Sequence, residues 1–293
     1  MSVKKFDGSL VLPFVRGYFG ADAVCERTKS GVSSCVYRVR HADKTYYLRV
    51  LPPDDGHHAS EEFAHAEMRK RGLNVPEPLY FERYNESANA SLFLTGEIPG
   101  RCLDDENDGE IGDVLRSAGR QLAVANSICV DNFGWIDREG GAVLSGEHDT
   151  FRAFYYDSLY RDIDKLARFG FDTDELKSLA DHGFGLLDTD ESCFTHGDFD
   201  DSHIYHLNGC FTGVIDFGDM CGSHVLHDLG HYKLHCPENF GLLAQGYSEV
   251  RPLSAADYVR IDFLALFVAI SRSKYKYYKE MLRKQLEIVR KII

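Results

Sequence analysis

Asn208-Gly209 stands between two runs that alternate with a period of two, 203–207 and 210–216. That dipeptide suits a two-residue type I′ turn, so the runs are predicted to fold back on each other as a hairpin. With this turn Leu207 opposes Cys210 and His203 faces Val214, and Asp216 follows two residues later on the same face. Diagonal neighbours in such a ribbon lie about 7–8 Å apart, a span that one metal ion held from both sides can fill. Asp198 falls in the loop just before the hairpin. The pattern predicts a free carboxylate beside a two-ligand metal station.

The rest of the chain divides by element type. From Val24 to Val50 the expected pattern is strand, loop, strand, turn, strand, with the second and third strands over 35–40 and 45–50; a helix follows over 60–71, and a hairpin over 79–83 and 91–95. Beyond Pro99-Gly100 helices are expected over 110–127, 150–169, 173–182, 240–250 and 255–293. This is an α+β, bilobal layout, with a β-rich N-lobe over 1–98 and a mainly helical C-lobe over 99–293. The formal charge of −13 argues against nucleic-acid binding, which needs a basic footprint, and permits a cationic small substrate. The longest apolar run, 263–270, is far short of the roughly 20 residues that span a bilayer, so no membrane association is expected. None of the eight cysteines forms a CxxC pair, which suits reduced thiols and a cytoplasmic location. A monomer or homodimer is expected.

A carboxylate beside a metal station suits phosphoryl transfer. Divalent metal neutralises the phosphates of a nucleoside triphosphate, and a positioned base serves the acceptor hydroxyl. His196-Gly197-Asp198, with His203 following and then Ile215-Asp216-Phe217-Gly218, resembles the aminoglycoside and macrolide phosphotransferase family. The resemblance implies a protein-kinase-like fold and ATP- or GTP-dependent O-phosphorylation of a small hydroxylated molecule. It implies Asp198 as catalytic base, Asp216 and His203 as ligands of Mg²⁺ or Mn²⁺, and Asp228 as a brace for the loop that carries Asp198.

Other segments resemble the family in the same order. The stretch 31–37, with Ser33 and Ser34, is similar to its phosphate-covering loop, where small residues let backbone N–H groups approach phosphate. Arg49 takes the place of the lysine that grips the α- and β-phosphates, with Glu62 as its first candidate partner and Glu61 next. The segment 92–100 resembles the hinge, where the Glu97–Ile98 backbone would meet the nucleobase. Two residues depart from the usual pattern. His203 replaces an asparagine, as in the macrolide kinases, and imidazole suits Mn²⁺ or Zn²⁺ better than Mg²⁺. Arg49 replaces lysine with a planar fork of fixed charge. By resemblance the acceptor would be a macrolide- or aminoglycoside-type antibiotic, with an endogenous amino-alcohol or sugar as the alternative.

Two readings of other classes also fit the sequence. His203 and Arg49 would also suit a nucleotide-binding pseudokinase without turnover. His224, His227, His231 and His235 follow at helical spacing and could bind zinc. The acidic run 104–110 is read as a solvated loop, and the basic tail 272–291 as part of an amphipathic helix docked on the acidic body.

Overall fold

A computed structural model describes residues 6–28, 35–105, 111–138 and 140–293. The loop residues Ser33 and Ser34, and positions 106–110 of the acidic run, lie outside the described residues. The chain packs as two compact units. The first comprises Met1–Pro99, Asp137–Leu144 and Gly213–Gly218; the second comprises Gly100–Ile136, Ser145–Thr212 and Asp219–Ile293. Two short later segments thus join the first unit, where the sequence suggested a single cut between 98 and 99.

The first unit is built on an antiparallel sheet of β1 (Val24–Arg27), β2 (Cys35–His41), β3 (Lys44–Leu51), β4 (Pro78–Asn85) and β5 (Ala90–Gly96), in the order β1-β2-β3-β5-β4. Alternation sends Tyr37, Val39, Leu48, Val50, Leu92 and Leu94 to one face, where they pack with Val11 and Val15. Val15 lies on α1 (Leu12–Phe19), a short helix that the sequence pattern did not announce. Each fully buried side chain in this cluster contributes about 1.5–3 kcal/mol. Arg49 stands between Leu48 and Val50 and so points to the opposite face. The helix α2 (Ala59–Lys70) buries Glu61, Ala64, His65 and Met68, the i, i+3, i+4, i+7 stripe of an amphipathic helix.

In the second unit α3 (Gly112–Ala125) crosses α7 (Phe240–Val250) at very close range. A Cβ on Gly119 would strike the Leu243 carbonyl, and one on Gly246 would strike that of Arg116, so glycine at both positions lets the backbones touch. The pair α4 (Phe151–Leu166) and α5 (Thr173–Leu187) packs with α8 (Ala255–Ser271), whose residues 261–270 are all buried. The expected helix over 255–293 is interrupted: α8 ends at Ser271, and α9 (Lys276–Val289) begins anew. Lys233 of α6 (His227–His235) donates to Asp262 of α8 at 2.5 Å, and Gln285 of α9 donates to the Asp262 carbonyl at 2.8 Å. This polar junction ties the three helices together.

Short strands complete the unit. One sheet has the order β7 (Gly134–Trp135), β11 (Cys221–Ser223), β8 (Cys193–Thr195); the other joins β6 (Arg101–Cys102) to β9 (Ile204–Leu207) and β10 (Cys210–Val214). Asn208 and Gly209 have φ of 53° and 75°, as a type I′ turn requires. The hairpin is shorter than expected, however. His203 closes a 3-10 turn over Asp201–His203 before β9 begins, and β10 ends at Val214. The predicted strand pairing of His203 with Val214 is therefore absent. Asp200 caps that turn through Ser202 N at 2.9 Å, and this local bond competes with strand extension. Among the described residues no helix is long and apolar enough to cross a membrane.

Candidate active site

Asp198 belongs to a loop held mostly by backbone contacts. Asp228, fully buried on α6, accepts from His196 N at 2.9 Å and from Gly197 N at 3.0 Å. Asn126 donates to the same carboxylate at 2.9 Å and to the Phe194 carbonyl at 2.9 Å. Burial alone would raise the Asp228 pKa, but hydrogen bonding and nearby imidazoles bring it down to about 2, so the brace stays ionised. Gly197 has φ of +79° and lies so close to the Asp219 carbonyl that no Cβ fits there.

The Asp198 side chain meets two cations or potential cations. Arg272 Nη1 donates to Oδ1 at 2.7 Å, while Nη2 donates to the Gly197 carbonyl at 3.1 Å. His231 Nε2 lies 3.2 Å from the same Oδ1, and its Nδ1 lies 3.0 Å from the Phe199 carbonyl. Burial pushes His231 down to about 4, so near neutral pH the ring has one N–H to share between those two oxygens. Burial opposes ionisation of Asp198, yet His231 and Arg272 outweigh it and hold the carboxyl well below the usual carboxylate range. Arg272 is the firmer partner, because its charge is fixed and its fork spans both side chain and backbone.

His203 Nδ1 lies 2.7 Å from the Asp198 carbonyl. A carbonyl only accepts, so Nδ1 carries the proton and, in the neutral ring, Nε2 carries the lone pair. Histidines that bind metals are typically oriented in this way. The remaining ladder residues do not gather around a metal. The Leu226 N–H donates to His224 Nδ1 at 3.1 Å, His227 lies against Asp228, and His235 Nδ1 lies 3.4 Å from Asp200. No group of three or more His, Cys, Asp or Glu side chains able to hold a metal is found among the described residues. Helical spacing does bring the His231 and His235 rings to 4.2 Å, but both Nδ1 atoms already face oxygen partners.

In the first unit Arg49 is paired with Glu61, not with Glu62 as first expected. The reason is helical phase: Glu61 lies on the buried stripe of α2, and Glu62 is one position around from it. His58 Nδ1 approaches the second Glu61 oxygen at 3.2 Å, and Arg49 Nη2 lies 3.8 Å from Asp216 Oδ1. Asp216 has φ of +65°, a left-handed conformation that is costly for a residue other than glycine. Its neighbour Phe217 is buried edge-on against His65 at 5.1 Å, which anchors the turn, while the Asp216 side chain remains half exposed. Glu97 and Ile98 follow β5 without regular structure, and Ile98 packs against Gly213.

Sequence reasoning missed Arg272. In the sequence it reads as one cation of a basic tail, and no motif or spacing marks it out. His231 stands out in the sequence by its spacing in the ladder, which does not announce its contact with Asp198.

The phosphotransferase enzyme family model matches residues 24–264. No curated protein sequence is significantly similar to the chain. Among solved structures, a thermostable mutant of aminoglycoside phosphotransferase APH(4)-Ia, in complex with ADP and hygromycin B, is 18% identical with a TM-score of 0.62, covering 95% of this chain and 97% of that one. A protein assigned as a fructosamine-3-kinase from Thermobifida fusca is 17% identical with a TM-score of 0.67, covering 96% and 98%. Macrolide 2'-phosphotransferase MphH from Brachybacterium faecium is 15% identical with a TM-score of 0.59, covering 93% and 96%. These likenesses establish a protein-kinase-like fold.

Proposed function

Since the chain belongs to the phosphotransferase enzyme family, we propose that it moves the γ-phosphoryl group of ATP or GTP to a hydroxyl of a macrolide- or aminoglycoside-type antibiotic. Asp198 is the proposed catalytic residue. The observation that carries this reading is its carboxylate, kept ionised by Arg272 on a loop pinned by Asp228. Such a group accepts a hydrogen bond from the acceptor hydroxyl and orients its oxygen for attack on the γ-phosphorus. The oxygen–phosphorus bond forms as the bond to the β-phosphate oxygen breaks. A carboxylate held this acidic takes the hydroxyl proton late, once the attacking oxygen has become acidic.

Arg49, steadied by Glu61, would clamp the α- and β-phosphates, and the Glu97–Ile98 backbone would receive the nucleobase. Ser33 and Ser34 would contribute backbone N–H groups to the phosphates. Asp216 and His203 would hold Mg²⁺ or Mn²⁺, with the remaining ligands drawn from phosphate and water, and that ion would neutralise phosphate charge. The His203 ring, with Nδ1 committed to a carbonyl, fits the metal-ligand role. The ADP and hygromycin B bound by the aminoglycoside phosphotransferase support a nucleotide donor and a polyhydroxylated acceptor.

A second reading, a sugar derivative as acceptor, draws support from Arg272. Its fixed charge already matches Asp198, so this position offers less to a polycation. The test is turnover of labelled ATP and GTP against macrolides, aminoglycosides and glycated amines. Transfer to an antibiotic supports the first reading, and transfer to a glycated amine alone moves the acceptor class to sugars. Nucleotide binding without transfer to any acceptor would favour the pseudokinase reading.

A further inference from the structure

Cys129 and Cys193 face each other across an isolated antiparallel bridge in the second unit, and both are free thiols. Val130 N donates to the Ser192 carbonyl at 3.1 Å, and Phe194 N donates to the Ile128 carbonyl at 2.8 Å. These bonds flank the two cysteines and do not join them, which makes Cys129 and Cys193 a non-hydrogen-bonded pair. Pairs of this type have the closest Cα atoms in an antiparallel ladder, about 4.5 Å apart, inside the range a disulfide spans. Their side chains share one face of the ladder. Ile128, Val130, Ser192 and Phe194 are buried, so alternation turns the cysteine pair outward, and Cys129 is exposed. Asn126 fixes the Phe194 carbonyl from below, so the backbone at this bridge is well held.

We propose that Cys129 and Cys193 form a vicinal dithiol, a modification site that closes to a disulfide by exchange with a low-molecular-weight disulfide. Exposure makes Cys129 the entry point, because burial pushes the Cys193 thiol up to about 11. The Cys129 thiolate attacks one sulfur of the incoming disulfide, forms a mixed disulfide and releases one thiolate. Cys193 then gives up its proton, attacks the Cys129 sulfur and expels the second thiol. Two protein thiols are oxidised to one disulfide, and one small disulfide is reduced to two thiols. The new bond would tie the start of β8, the strand that leads into His196-Gly197-Asp198, to the segment that follows α3.

The test is peptide mapping of the reduced wild-type protein after exposure to oxidised glutathione, with free thiols alkylated before digestion. The proposal predicts one linked peptide joining Cys129 to Cys193, lighter by two hydrogens than the separate peptides and reopened by dithiothreitol. In Cys193→Ser the reaction should stop at glutathione on Cys129. A wild-type protein that keeps glutathione on Cys129 with Cys193 still open to alkylation would overturn the proposal. So would linkage of Cys129 to another cysteine, or no reaction at either position.

Discussion

The two units secure their key charges by different means. In the first, Arg49 is aimed by strand register and meets Glu61 on the inward stripe of a neighbouring helix. In the second, Asp198 lies on a loop without regular structure and is pinned by Asp228, Arg272 and His231, all distant in sequence. Regular elements fix a side chain through local periodicity. A loop needs tethers from elsewhere in the chain, and each tether is a separate point of failure.

The largest expected effect probes the loop. Asp198→Asn keeps the shape but removes the charge and the proton acceptor, and kcat should fall by about 10³-fold. An unchanged rate across all acceptors that wild type phosphorylates would remove Asp198 from the chemistry. In the first unit, Glu61→Ala takes the α2 carboxylate from a half-buried Arg49 and leaves it Asp216 at 3.8 Å. It should cost about 1.5–3 kcal/mol in denaturant unfolding, whereas Glu62→Ala should stay within about 0.5 kcal/mol. Equal costs for the two variants would break the assignment of Glu61 as partner.

Acid should weaken the second unit before its carboxylates titrate. Burial holds His224 near 4, below its unfolded value of 6.5, so the neutral ring favours folding above pH 6.5. That contribution is lost as pH falls from 6.5 towards 4, by up to about 3 kcal/mol. Stability curves for wild type and His224→Gln should converge over this interval, and parallel curves would contradict the assignment. The smallest effect concerns Arg272→Gln. Because Asp228 still braces the loop, unfolding should change little, while kcat should fall by roughly 10-fold as Asp198 loses its fixed orientation. A large loss of stability with unchanged kcat would make Arg272 a structural residue only.

Whatever depends on local pattern was legible in the sequence. The strands β2, β3 and β5, the Asn208-Gly209 turn and the helix α7 all lie within a residue or two of their expected bounds. The stripe that selects Glu61 over Glu62 could also have been read from spacing. Other features needed three-dimensional information. α5 runs on through Gly183 to Leu187, because that glycine gives the Phe263 and Phe267 rings room to pack. The break between α8 and α9 contains neither glycine nor proline, so nothing in 272–275 announces it. Arg272 caps the end of α8 and reaches Asp198 across 74 positions of chain, and no local signal links the two residues.

The most direct measurement is the thermal shift produced by ATP or GTP with Mg²⁺ or Mn²⁺, compared across wild type, Asp216→Ala and Asp198→Asn. A ligand that binds only the folded state raises the melting temperature. A metal-dependent rise in wild type and Asp198→Asn that disappears in Asp216→Ala is the predicted result, with Asp216 serving nucleotide and metal and Asp198 serving the acceptor. A rise of equal size in all three proteins, or none in a folded wild type, would contradict it.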